Sequence, residues 1–203
     1  MYKRQSLDAQ RLLACLVDRK PGEVFLADAN GGLQLDHARR LFALLPPDLN
    51  IILEAPCATW VETLKLRDFS PYPIMLDELV QTDGDVALAI HLNACDSLNL
   101  KLGKQGGLSR AKQQLTMAQA AGLTVSIQDT WGGHISLAAI LHLAHATPPD
   151  MLRGALDTRP LVGLQLATVD LLEEEGGLRV SSTPGLGVTP KEAALGASLA
   201  HWH

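Results

Sequence analysis

A chain of 203 residues that is 47% hydrophobic and 19% charged can bury a sizeable core and is too apolar to be disordered. A net charge of −5 with no Lys/Arg-rich stretch speaks against a nucleic-acid partner, and no apolar run reaches the roughly 20 residues needed to cross a bilayer. The start has no apolar secretory core, and Cys15, Cys57 and Cys95 form neither a CxxC pair nor an even framework, so a cytoplasmic protein with three reduced thiols is expected.

Residues 1–6, which open Met-Tyr-Lys-Arg-Gln, match no element and are set aside as a non-native leader, with the natural chain expected to continue upstream. Residues 7–19 carry Leu7, Leu12, Leu13, Leu16 and Val17 near helical spacing, and Pro21-Gly22 stops that helix. A first strand is expected at 24–29, then Asn30-Gly31-Gly32 as a loop and a helix over 34–45 ended by Pro46-Pro47. Strand 50–55, a short helix near 59–67, strand 73–77 and a helix from Asp83 to Asn93 follow. Strand 97–102 runs into the Gly-rich loop Gly103-Lys-Gln-Gly-Gly107, then a helix over 108–121 closed by Gly122. Strand 124–128 ends in Asp129-Thr-Trp131-Gly-Gly133, and helix 135–146, almost wholly apolar, is expected to be buried. Met151–Ala155 reads as one more strand. Beyond 160 the rhythm is lost, and residues 161–203 are expected to be irregular with one β-pair and a loose tail.

Four apolar runs end in a charge: Val24-Phe-Leu-Ala-Asp28, Asn50-Ile-Ile-Leu-Glu54, Tyr72-Pro-Ile-Met-Leu-Asp77 and Ser97-Leu-Asn-Leu-Lys101. A fifth reaches Asp129, and the successive spacings are 26, 23, 24 and 28 residues. Short β-branched runs one helix-length apart read as the βα repeat of a parallel sheet over residues 7–160. Such folds bind ligands at the carboxyl ends of their strands, so these charges should face one site. Neither Gly-rich stretch matches a dinucleotide or P-loop pattern, which leaves a partial (β/α)8 barrel favoured over an open doubly wound sheet.

Asp28, Glu54 and Asp77 offer three hard oxygen donors from adjacent strands, the chemistry Mg²⁺ prefers. Read singly, each would more often be a helix cap or a loop charge. Lys101 ends the next strand, where a lysine desolvated near a divalent cation gives up its proton more readily and can serve as acid and base; Lys104 is the alternative in the loop. Asn30 and Glu78 are candidate partners holding the carboxylates. Asp129 and Trp131 stand where they could touch substrate. Cys57 reads as a small apolar residue, His142 and His145 as core or subunit-contact histidines, and His201 and His203 as tail residues.

Taken in order, Asp28-x-Asn30, Leu53-Glu54-x-Pro56-Cys57, Leu76-Asp77-Glu78, Asn99-Leu-Lys101 and Pro184-Gly-Leu-Gly-Val188 resemble the mandelate racemase/muconate lactonising branch of the enolase superfamily. The resemblance implies a modified TIM-like barrel, Mg²⁺ on Asp28, Glu54 and Asp77, Lys101 as an acid/base, and removal of the proton α to a carboxylate. Leu-Glu-x-Pro-Cys-Ala-Thr-Trp60 and Asp129-Thr-Trp-Gly-Gly133 are similar to hydroxyproline and hydroxyproline-betaine epimerases and cis-3-hydroxyproline dehydratases, although Ala55 stands where that group more usually has Gln. In family terms the sequence begins after the second barrel strand, without the capping domain or the Lys-x-Lys strand. The resemblance implies a small carboxylate substrate, a homo-oligomer at full length, and epimerisation, with dehydration and a non-catalytic barrel fragment as alternatives. Two open sheet edges make the chain as written an expected poor folder without activity.

Overall fold

A computed structural model describes residues 2–169, 171–174, 177–180 and 182–200. The chain divides into two compact units, residues 1–98 and 99–203. In the first, α1 (Tyr2–Cys15) is followed by β1 (Phe25–Asp28), α2 (Leu35–Phe42), β2 (Ile51–Glu54), α3 (Trp60–Arg67), β3 (Ile74–Leu76) and α4 (Asp83–His91). Helix α1 takes in residues that the sequence pattern leaves outside any element: Tyr2 to Leu7 holds no Gly or Pro, so nothing stops a helix nucleated further on from extending back. The next two helices with side-chain caps begin on threonine. Thr59 accepts the Glu62 N–H at 3.2 Å and donates to the Glu62 carboxylate at 2.7 Å, and Thr82 forms the reciprocal capping box with Asp85.

The strands of this unit pair in parallel. Phe25, Leu26, Ala27 and Asp28 face Ile51, Ile52, Leu53 and Glu54, and Leu53 and Glu54 face Ile74 and Met75. Under the helices, Phe42 meets Tyr72 edge-on at 5.5 Å, while the Tyr72 hydroxyl donates to the Pro46 carbonyl at 2.7 Å. At the amino-terminal side of β3, Arg67 grips Asp96 through two bonds of 2.8 and 3.0 Å, and Asp96 also accepts the Ile74 N–H at 2.8 Å. Burial works to raise the Asp96 pKa, but the Arg67 bond, the Ile74 N–H and the Arg67 charge outweigh it and hold the carboxyl below the usual range.

The second unit opens inside β4 (Ser97–Lys101) and continues with α5 (Leu102–Gln105), α6 (Leu108–Ala120), β5 (Thr124–Gln128), α7 (His134–His145) and β6 (Leu152–Ala155). The expected Gly-rich loop winds one helical turn as α5 before Gly106, at φ 84°, ends it. Helix α7 buries Leu137, Ala138, Ile140, Leu141, Leu143 and Ala144, as its composition requires. Strands β5 and β6 pair in parallel with a register shift between Val125 and Ser126. After a 3-10 turn at Arg159–Leu161 come β7 (Ala167–Val169), β8 (Leu171–Glu174), β9 (Gly177–Val180), β10 (Val188–Pro190) and the short α8 (Glu192–Leu195). These strands make two antiparallel pairs, β7 with β10 and β8 with β9, where the sequence shows only one. The tail histidines His201 and His203 lie outside the described residues.

The fold is therefore α/β, with six parallel strands hydrogen-bonded in chain order, β1 to β6. Strands β2 and β3 are buried at every position, whereas β1 and β6, the first and last in the order, alternate between half-buried and exposed residues. That is the difference between strands covered on both faces and strands covered on one.

Candidate active site

Asp28 and Glu54 are the last residues of β1 and β2 and are register partners. Asp77 follows β3 directly, two residues beyond Met75, the partner of Glu54, and pleat alternation puts it on the same side as Met75. Glu54 is 6% exposed and Asp77 2% exposed. Burying two carboxylates is costly unless cations or donors compensate, and neither residue is without an interaction.

The loops behind these residues are laced by backbone bonds. The Ala29 N–H donates to the Glu54 carbonyl at 3.0 Å, Gly31 to Ala55 at 2.7 Å and Leu33 to Pro56 at 3.0 Å. Close lacing forces unusual backbone: Gly31 has φ 72°, Asn30 φ 46° and Ala55 φ 40°. Gly and Asn tolerate that region, whereas alanine is strained there. Strain of this sort persists where the surroundings over-determine the backbone, as they do at the Glu54 loop. Asn30 turns back on Asp28, its backbone N–H and side-chain amide donating to the two carboxylate oxygens at 2.9 and 3.0 Å.

Among the described residues no three His, Cys, Asp or Glu side chains are gathered closely enough to hold a metal ion. Carboxylates without a cation repel one another, and here Asp28 is held by Asn30 instead. The donor chemistry nevertheless fits a hard divalent cation: three carboxylates at successive strand ends, two of them buried, with Asp28 keeping lone pairs beyond those Asn30 occupies.

In the second unit Lys101 ends β4, is half-buried, and is the residue from which α5 starts. The carboxylate of Asp129, just past β5, accepts the Gly103 N–H at 3.2 Å and the Thr130 N–H at 2.8 Å through the same oxygen, Oδ1. Trp131 is 67% exposed, so it packs into no core among the described residues and leaves its ring open to a ligand or partner. Lys104 is half-buried and Glu78 is exposed.

The cysteine reading fits the chemistry. Cys57 is buried and its thiol is pushed up to about 11 by burial, with Glu62 adding to the shift, which is the reverse of an activated nucleophile. His145 is bonded to the Leu141 carbonyl of its own helix at 2.8 Å, and His142 Nε2 is buried with no hydrogen-bond partner.

Sequence reasoning passed over two groups. Ser97, Asn99, Ser126 and Gln128 are buried polar residues on β4 and β5, and their polar–apolar alternation in Ser97-Leu-Asn-Leu-Lys101 and Thr124-Val-Ser-Ile-Gln128 was the available signal. The other group is His134, Asp157 and Arg159. Arg159 forks onto Asp157 at 2.7 to 3.0 Å, which with its charge holds Asp157 below the usual carboxylate range. Burial, then the charges of Arg159 and Lys191, lower the His134 pKa against the pull of Asp157. No local pattern announces that group.

An α/β chain whose successive parallel strands end in three carboxylates and a lysine is of the class that carries its chemistry at strand carboxyl ends. The chain belongs to the enolase C-terminal domain-like family, whose model matches residues 4–194. Among solved structures it is similar to a Roseovarius nubinhibens protein described as a mandelate racemase/muconate lactonizing enzyme complexed with magnesium, at 50% identity and TM-score 0.93 over 97% of this chain and 52% of that one. Among curated proteins it is 33% identical to the cis-3-hydroxy-L-proline dehydratase of Roseibium aggregatum over 96% of this chain and 53% of that protein. It is 30% identical to the L-Ala-D/L-Glu epimerase of Clostridium acetobutylicum over 79% of this chain and 46% of that protein. The chain thus spans about half the length of the curated relatives it matches. No helix of the described residues is long and apolar enough to cross a membrane.

Proposed function

We propose that the protein carrying this chain removes the proton α to the carboxylate of a small, proline-derived substrate and returns it, as an epimerase or racemase. The observation that carries this reading is the register of Asp28 against Glu54, with Asp77 at the next strand end, in a chain of this family. Asp28, Glu54 and Asp77 would hold Mg²⁺, which when bound supplies Lewis-acid neutralisation of the charge that grows on a carboxylate as its α-proton leaves. Asn30 orients Asp28 through its two hydrogen bonds. Lys101 serves one face of the substrate, taking the α-proton of one epimer at Nζ or delivering a proton to form it, while a second acid/base on the opposite face completes the inversion. Trp131 offers an exposed ring for substrate contact, and Glu78 has the place in sequence to support Asp77.

Dehydration of cis-3-hydroxyproline or another hydroxy acid is the second reading, favoured by the dehydratase relative. It begins with the same α-proton and differs in that the hydroxyl leaves afterwards. The test is solvent deuterium entering Cα of cis-3-hydroxy-L-proline with the complete protein and Mg²⁺. Lys101→Ala should lose exchange from one face; parental exchange from both faces would put the base elsewhere. A product that keeps its hydroxyl identifies the epimerase, and one that loses it the dehydratase. Absence of exchange with every proline-derived carboxylate tried would favour a non-catalytic barrel protein.

A further inference from the structure

We infer that Asp129 acts on Lys101 through the main chain, as a positioning residue rather than a substrate ligand. This rests on the reading of Lys101 as the acid/base. The geometry lies wholly within the second unit. Lys101 is the N-cap of α5 but makes no side-chain cap, so the first N–H groups of that turn need an acceptor from elsewhere. Asp129 brings one from 26 residues downstream: its Oδ1 accepts the Gly103 N–H at 3.2 Å. The same oxygen accepts the Thr130 N–H at 2.8 Å, which fixes the carboxylate to its own loop. The end of β4 is thereby tied to the end of β5 two residues after Lys101.

Gly103 is part of the device. A Cβ at this position would meet Asp129 Oδ1 at 2.8 Å and the Asp129 Cγ at 3.5 Å. Any side chain there would push the carboxylate off the N–H it accepts. Gly103 has ordinary backbone angles, unlike Gly106 at φ 84° and Gly107 at φ 100°, so its lack of a side chain serves the approach of Asp129 and not a left-handed turn. An anionic acceptor makes a stronger bond to a backbone N–H than a neutral one does, and a misplacement of about 1 Å at a reacting group can cost on the order of 10²-fold in rate. Both backbone donors sit on Oδ1, and KM reports whether the remaining oxygen, Oδ2, also meets a substrate ammonium.

The experiment compares Asp129→Ala, Asp129→Asn and Gly103→Ala in the complete protein, with Mg²⁺ and cis-3-hydroxy-L-proline in D₂O. Asp129→Ala and Gly103→Ala should each lower kcat for α-exchange by about 10²-fold and leave KM within about threefold, the pattern of an interaction that matters in the transition state alone. Asp129→Asn keeps an oxygen acceptor and should recover at least tenfold of the kcat lost in Asp129→Ala. Amide exchange at Gly103 is followed in parallel: slow in the parent and in Asp129→Asn, fast in Asp129→Ala. Lys101→Ala is the control for the underlying reading; if it leaves exchange unchanged, the acid/base assignment fails whatever Asp129 does. If Lys101→Ala loses exchange from one face, two results overturn the proposal: Asp129→Asn raising KM tenfold as Asp129→Ala does, or Gly103→Ala leaving kcat for exchange at that face at the parental value.

Discussion

The strand ends of the two units are held by different means. In the first unit the loops after β1 and β2 are joined backbone to backbone, through Ala29, Gly31 and Leu33 on one side and Glu54, Ala55 and Pro56 on the other. In the second unit the corresponding ties run through side chains, Asp129 onto Gly103 and the Thr158 hydroxyl onto the Gly132 carbonyl at 2.7 Å. Backbone lacing is insensitive to most substitutions and sensitive only where the backbone itself is unusual. A side-chain tie fails with one residue. The first unit should therefore tolerate change around its carboxylates, and the second should not around its lysine.

The largest effect is expected at the carboxylates themselves. Glu54→Gln removes one charge from the proposed Mg²⁺ set and should lower Mg²⁺-dependent exchange by about 10²–10³-fold or more, the order that loss of one electrostatic stabilising group costs in an active site. Because the loops are backbone-laced, its melting temperature should stay within about 3 °C of the parent, which corresponds to roughly 1 kcal/mol for a chain of this size. Full activity in this variant would remove Glu54 from the site.

Next comes the lacing. Gly31→Ala places a Cβ 3.2 Å from the Ala58 Cα on a backbone at φ 72°, and should cost about 2–3 kcal/mol. Gly122→Ala, at the same φ of 72° with nothing within 4 Å, should cost only about 1 kcal/mol. Equal losses in denaturant melts would mean that close loop packing adds nothing to the strain.

A smaller effect belongs to the Arg67–Asp96 pair at the other end of the strands. Arg67→Ala should cost about 1 kcal/mol, discounted because Asp96 is 42% exposed. The folded-state pKa of Asp96 lies below its unfolded value of about 3.9, so the contribution is present above that value and lost as pH falls through the folded pKa. The gap between variant and parent should thus be constant near neutrality and close in acid. A gap that widened on acidification would contradict the assignment.

The smallest effect is chemical. Exposed Cys15 should react with iodoacetamide at pH 8, while Cys57 and Cys95, pushed up to about 11 and about 12 chiefly by burial, should react only on unfolding. Labelling of Cys57 in the folded protein would show that the Glu54 loop opens.

Much of this was legible in the sequence because charge and strand end coincide. The runs closed by Asp28, Glu54 and Lys101 end their strands on that charge, one residue before the expected bounds of 29, 55 and 102. The Gly103–Gly107 stretch misled, because glycine frequency reads as loop while Leu102 and Gln105, both buried, pull the first turn into α5. The second antiparallel pair was hidden because both strands are only four residues long and Leu171-Leu-Glu-Glu174 carries no alternation. The tie from Asp129 to Gly103 spans 26 residues, and only the fold reveals such a partner. The grip of Asn30 on Asp28, two residues apart, could have been read as an Asx-type loop.

The central claim is that the carboxylates at three strand ends hold a divalent cation for α-proton chemistry. The most direct measurement is deuterium entry at Cα of a proline-derived carboxylate by the complete protein, first stripped with chelator and then titrated with Mg²⁺. The account predicts no exchange after stripping, and recovery that saturates with Mg²⁺ in the parent but not in Glu54→Gln. Exchange that persists undiminished in excess chelator would contradict it.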